Sequence, residues 1–140
     1  VRRAMSMAIN REAIVDRIME TVAVPAGQLL AEQFFGTSKN LKVDKYDPEG
    51  AKKLLAQAGY PNGFQLTLHS PNNRYINDEK IAQAIAQFLT RVGIVTKLET
   101  MPSNIFFTRA SKLEFSTILA GWGASSGDTS SLSARATHAS

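Results

Sequence analysis

With 140 residues, 44% of them hydrophobic, the chain is long enough for one folded domain that buries roughly two thirds of its unfolded surface. It contains no cysteine, which excludes disulfides, thiolate metal sites and a cysteine nucleophile. The net charge is +4, but sixteen basic residues are interleaved with twelve acidic ones, and adjacent basic pairs occur only at Arg2-Arg3 and Lys52-Lys53; without an aromatic–basic ladder, no nucleic-acid partner is expected.

No apolar run approaches the roughly 18 residues that span a bilayer, and no signal peptide is visible. The chain opens on Val1 directly in helical pattern, so it reads as a fragment or processed piece.

Residues 1 to about 20 have helical periodicity, with Asn10 fit to cap a second segment and Glu12 in its first turn. A long connection, 22–46, follows; its Leu29, Leu30, Phe34 and Phe35 suggest that it wraps over a surface. Asp47-Pro48-Glu49 starts a helix with an apolar stripe of Ala51, Leu54, Leu55 and Ala58, ended by Gly59. After the turn Tyr60–Gly63, Phe64 to His69 alternates as a strand. A polar loop, 70–76, leads to a helix opening at Asn77-Asp78-Glu79, with Ile81, Ile85, Phe88, Leu89 and Val92 on one face and Gly93 at its end. Ile94 to Met101 is a β-branched strand. Pro102-Ser103 starts a further helix with a stripe of Phe106, the Arg109 stem, Ala110 and Leu113, and residues 115–121 form a third strand.

The alternation of strand and helix from Phe64 to Gly121 predicts an α/β fold: a mainly parallel sheet of three or more strands with helices on both faces. If the first strand is central, the order is 2-1-3. The loops 71–76 and 122–128 then meet at the carboxyl ends of the strands, where open α/β sheets bind ligands. The alternation at 64–69 suits a half-exposed strand better than a central one.

Those loops carry the candidate ligand-binding residues: Arg74 and Tyr75 in the first, Trp122, Ser125, Ser126 and Asp128 in the second. Trp122 either offers an aromatic wall or fills a hydrophobic gap. Arg74 can hold a carboxylate through two parallel hydrogen bonds, or be one more surface arginine. Asp128 can receive an amine or cap a helix, and the serines can donate hydrogen bonds or be plain loop. His69 and His138 have no partner at catalytic or metal-ligand spacing. The glycine-rich run 121–127 is neither a phosphate loop nor a nucleophile elbow. No catalytic set, cofactor or metal site is expected, although a small α/β hydrolase-like enzyme using the same crevice is the rival reading.

Three segments resemble a known family. Val1-Arg-Arg-Ala-Met-Ser-Met-Ala-Ile-Asn-Arg-Glu-Ala-Ile14 is similar to a "VRxAxxxAIDRExI" helix. Tyr46-Asp-Pro-Glu-Gly-Ala-Lys-Lys-Leu-Leu-Ala-Gln-Ala-Gly-Tyr-Pro-Asn-Gly-Phe64 is similar to "YDPxKAKxLLxxAGYPxGF". Gln87 to Thr100 is similar to "LxxxGIxVxLE". These are patterns of the extracytoplasmic solute-binding proteins of ABC transporters, in the dipeptide, oligopeptide and nickel branch, and the strand ending in Gly121-Trp122 resembles that family's ligand-loop opening. The resemblance implies one lobe of a type II periplasmic-binding-protein fold: a single domain over 1–140, an incomplete C-terminal lobe. It also implies a monomeric receptor, periplasmic or lipid-anchored outside the membrane, that delivers a peptide or other small solute to an ABC permease and is not an enzyme. Arg74 matches a carboxylate-holding arginine by its Pro-x-x-Arg spacing. Ser125 stands where peptide-binding members have an aspartate, which points toward another solute class, and Asp128 matches a second acidic position.

Overall fold

A computed structural model describes residues 1–28, 30, 34–121 and 123. Two short helices come first, α1 (Arg2–Ala8) and α2 (Arg11–Arg17). Asn10 separates them as expected: its side chain accepts from Ala13 N at 2.9 Å, and Glu12 sits in the first turn of α2. Their packing differs. α1 buries Ala4 and Ala8, whereas α2 buries no residue.

The described part of the 22–46 connection forms no helix or strand. It is folded back on itself by Gln28, whose amide donates to Ser38 O and whose oxygen accepts from Ser38 N. Val22, Val24 and Phe35 are exposed along it.

α3 (Pro48–Gln57) starts where its caps demand. The Asp47 carboxylate accepts from Gly50 N at 2.8 Å, and proline occupies the first turn. It ends in a paired-carbonyl cap, with Gly59 N donating to Ala56 O and Tyr60 N to Leu55 O. Ala51 and Leu55 join Ala4, Ala8, Leu89, Val92 and Ile94 in the hydrophobic core.

β1 (Phe64–Pro71) and β2 (Ile94–Met101) pair in parallel, in register from Phe64↔Ile94 to Pro71↔Met101. The crossover between them is α4 (Asp78–Arg91), which packs on both strands. Both strands begin just after a helix- or turn-ending glycine, and those glycines touch. Gly63 has φ +72°, and a Cβ there would overlap the Gly93 carbonyl oxygen. Close backbone approach at this end therefore fixes where the register begins.

One face of β1, carrying Phe64 and Leu66, packs into the core beside Leu89 and Val92. On the other face, His69 stacks on Phe115 at 4.1 Å between centroids. Phe115 in turn stacks at 5.6 Å on the buried Phe106 of α5 (Ser103–Ser111).

Two expectations need correction. α5 stops at Ser111, and Leu113, predicted on its buried stripe, is exposed with φ +57°. The expected third strand at 115–121 is present only as a single parallel bridge, Ile118 to His69, and among the described residues the sheet has two strands. His69 N donates to Thr117 O and Leu119 N to His69 O, at 3.0 and 2.9 Å. Ile118 remains 44% exposed, so little burial opposes the backbone entropy of extending the pairing.

Replacing Gly63 by alanine should destabilise the chain by about 2–4 kcal/mol, from backbone strain plus steric overlap. The midpoint of urea unfolding should fall with its slope unchanged, and a loss below about 0.5 kcal/mol would contradict the glycine contact.

Candidate functional site

The loop after β1 is held by its backbone. Asn72 N donates to Met101 O at 3.1 Å, and Asn73 Oδ1 accepts from Ser103 N at 2.8 Å, joining the loop to the end of β2 and the start of α5. The strongest restraint is Asp78, a residue only 4% exposed. Its Oδ2 accepts from both Arg74 N at 2.9 Å and Tyr75 N at 3.0 Å, while Oδ1 accepts from Glu79 N at 2.9 Å.

Burial works to raise the pKa of Asp78, but the backbone donors of Tyr75, Arg74 and Glu79 together outweigh it and hold the carboxyl below its ordinary 3.8. At neutral pH the carboxylate is therefore a fixed anion inside the loop. The preceding residue, Asn77, takes a left-handed conformation (φ 54°) and donates from Nδ2 to Ile18 O at 2.8 Å, so the loop is also tied to the end of α2.

This clasp orients the two candidate side chains that lie within the described residues. Tyr75 is half-buried and reaches across to the run before Trp122, its hydroxyl donating to Gly121 O at 3.0 Å. The ring lies so close that a Cβ on Gly121 would sit 2.7 Å from Tyr75 Cε1. Arg74 is exposed, with its guanidinium 5.5 Å from the Tyr75 ring centroid. It has no carboxylate partner among the described residues.

The loop after β1 and the residue before Trp122 thus meet at one end of the sheet. Trp122, Ser125, Ser126 and Asp128 lie outside the described residues.

His69, expected to have no partner at catalytic or metal-ligand spacing, faces a carboxylate across the sheet. It is 8% exposed, and its Nε2 lies 3.3 Å from Glu99 Oε2, directly opposite in the parallel register. Lys97 binds the other oxygen of Glu99 at 2.9 Å. The Lys97 hydrogen bond and charge, with smaller help from His69 and Arg109, hold the Glu99 carboxyl below its ordinary 4.5. Arg109 caps this face, 4.8 Å over the Phe115 ring and 2.7 Å from Glu114 Oε2.

The imidazole Nδ1 is buried without a hydrogen-bond partner among the described residues, so none of those residues is a nucleophile bonded to this pair. Among the described residues no group of three or more His, Cys, Asp or Glu is arranged to hold a metal ion. A cleft of about 480 Å³ lies between the α1–α2 junction and residues 43–46, and none of its lining residues belongs to the 71–76 loop.

Sequence reasoning missed Asp78 and Glu99. Asp78 was visible only as the middle of an Asn-Asp-Glu helix start, and nothing in that triplet says which carboxylate turns back into the loop.

Because the folded-state pKa of Asp78 is depressed, its stabilisation is present above the unfolded value of 3.8 and is lost as pH falls from there through the lower folded value. Asp78→Asn should therefore lower stability at pH 7 by about 1–3 kcal/mol. It should also flatten the stability–pH curve below pH 4 relative to the unsubstituted chain, as read from urea midpoints. An unchanged acid slope would mean that the carboxylate is not the loop's clasp.

The family model "Bacterial extracellular solute-binding proteins, family 5 Middle" matches residues 1–140. The chain is 30% identical to the dipeptide-binding protein of Escherichia coli (strain K12) over 136 residues, 91% of this chain and 24% of that protein. It is 34% identical to the glutathione-binding protein GsiB of the same strain, covering 91% and 26%. Heme-binding protein A of Haemophilus influenzae is 29% identical, with 91% and 24% covered.

Among solved structures, the ABC transporter-associated periplasmic binding protein DppA from Helicobacter pylori, in complex with the peptide STSA, superposes with a TM-score of 0.83 at 32% identity over 91% of this chain and 24% of that one. NikZ from Campylobacter jejuni, in complex with Ni(L-His), gives 0.77 at 25% identity, covering 89% and 26%. The chain spans about a quarter of the length of these relatives. With a parallel sheet crossed by a helix and a family match running its full length, the chain belongs to family 5 of the bacterial extracellular solute-binding proteins.

Proposed function

We propose that this chain is part of the solute-binding receptor of an ABC importer. It works outside the cytoplasmic membrane, in the periplasm or on a lipid anchor, and captures a small polar solute or peptide between two lobes for delivery to the membrane permease. The observation that carries the reading is the rim where Tyr75 meets Gly121 and leaves the Arg74 guanidinium exposed without a partner among the described residues. An exposed guanidinium with no protein carboxylate is free to pair with an anionic group of a solute.

In this reading the chain is a single domain over 1–140 and part of the C-terminal lobe of a type II fold, and the receptor is a monomer. Residues 115–121 extend their one bridge into a third strand, in the order 2-1-3, within the longer family architecture. Trp122 packs on the solute, Arg74 pairs with its anionic group, and Ser125, Ser126 and Asp128 take its polar groups.

Tyr75 has a narrower role than a ligand contact. Its hydroxyl is already engaged by Gly121, so it aligns the two loops and supplies the ring over which Arg74 lies. The names of the relatives cover a dipeptide, glutathione and heme, so the family match leaves the solute class open. A carboxylate-bearing solute fits Arg74 best.

The test is native mass spectrometry of the full-length protein to identify a co-purifying solute, followed by calorimetry. For a carboxylate solute, Arg74→Ala should weaken binding about 30- to 150-fold, the equivalent of about 2–3 kcal/mol for hydrogen bonds to a charged group. An unchanged dissociation constant would remove Arg74 from the site.

A further inference from the structure

A second surface of this chain is built to be covered. Residues of α2 and α4 line a groove of about 350 Å³ that stays open between the two helices among the described residues. Its apolar wall comes from Ile14 on α2, Ile18 at that helix's C-cap, and Ala84 and Phe88 on α4, all half-buried and none fully buried; Tyr46, edge-on to Phe88 at 6.1 Å, lines it as well. The spacing explains why these residues share a line: 14 and 18, like 84 and 88, are one turn apart on their helices.

The preceding helix α1, by contrast, puts Ala4 and Ala8 fully into the core, so the open state is particular to α2. Asn77 pins the C-terminal end of α2 through its bond to Ile18 O, which holds the groove open at a set width rather than leaving α2 adrift.

Among the described residues the charge of the groove is one-sided: Arg17 and Arg91 line it, and no acidic residue does. The acids of α2, Glu12 and Asp16, are not among its lining residues. Neither arginine has a carboxylate partner among the described residues, although ion pairs form elsewhere at Arg109–Glu114 and Lys97–Glu99. Arg91 lies 5.5 Å from the Phe88 ring centroid, keeping its guanidinium at the groove edge.

We propose that this groove docks a peptide segment of a partner protein, in which an apolar anchor is flanked by acidic side chains. The anchor fills the space between Ile14, Ile18 and Phe88, and the acids meet Arg17 and Arg91. Charge complementarity selects this occupant: an uncharged apolar segment would leave two guanidiniums desolvated without partners, which disfavours it. This docking role is independent of the solute proposed for the Arg74 rim, so the two stand or fall separately.

The test is a heteronuclear NMR titration of the full-length protein with the blocked tetrapeptide acetyl-Asp-Leu-Phe-Glu-amide. Its neutral counterpart, acetyl-Asn-Leu-Phe-Gln-amide, is titrated in parallel. The acidic peptide should shift the amides of Ile14, Arg17, Phe88 and Arg91 and leave those of Arg74 and Tyr75 in place. The neutral peptide should bind at least fivefold more weakly, and the Arg17→Gln/Arg91→Gln double variant should lose the same factor.

Equal binding of both peptides by the unsubstituted chain, or no shifts at the groove at millimolar peptide, would overturn the proposal even if the double variant failed to fold. So would equal shifts from succinate at the same concentration, which would make this a small-anion site. Concentration-dependent shifts of the same amides in the chain alone, with a dimer in sedimentation, would assign the groove to a second copy and overturn it as well.

Discussion

A single buried carboxylate organises the candidate site. The chain must leave β1, turn through residues 72–76 and enter α4, and the turn presents backbone N–H groups that the helix cannot satisfy. Asp78 supplies the acceptor for two of them, Arg74 and Tyr75, from a position inside the first turn of α4. Burying an anion there is tolerable only because its oxygens collect three backbone donors. The geometry that follows is not a matter of side-chain preference. With their backbone held, Tyr75 points to Gly121 and Arg74 lies over the Tyr75 ring, away from any protein acid among the described residues.

The sheet brings that clasp to a useful place. Gly63 and Gly93 meet at one end of the strand pair, and eight residues later both strands run out together at Pro71 and Met101. The loops that follow are tied to each other there through Asn72 and Asn73. Crossing α4 on one face and stacking His69, Phe115 and Phe106 on the other leaves the carboxyl end of β1 beside the run that leads to Gly121. An open α/β sheet recognises its ligand at this end.

Much of this was legible in the sequence because local chemistry decided it. Asp47-Pro48-Glu49 and Gly59-Tyr60 bracket α3 with caps that work by hydrogen bonds within a few residues, and the alternation at 64–69 and the branched run at 94–101 both became strands. The parallel pairing followed from the helix between them. Three features were hidden because they depend on distance in space. The His69–Glu99 pair needs the register, which the contact between two glycines sets. The inward turn of Asp78 needs the loop in place before the helix. The run 115–121 reads as a strand by composition, yet composition cannot report that one neighbour and an exposed Ile118 give it too little burial to pair beyond one bridge.

The proposed solute site depends on the loop after β1 meeting the run that leads to Trp122, where Tyr75 is seated on Gly121. Nuclear Overhauser spectroscopy of the chain reads this contact most directly. Strong cross-peaks should join the Tyr75 ring protons to the Gly121 α-protons, which should also be moved by the ring current. Cross-peaks absent from a well-folded sample, with Gly121 α-protons at unperturbed shifts, would separate Arg74 from the tryptophan loop and leave the proposed solute site without its second wall.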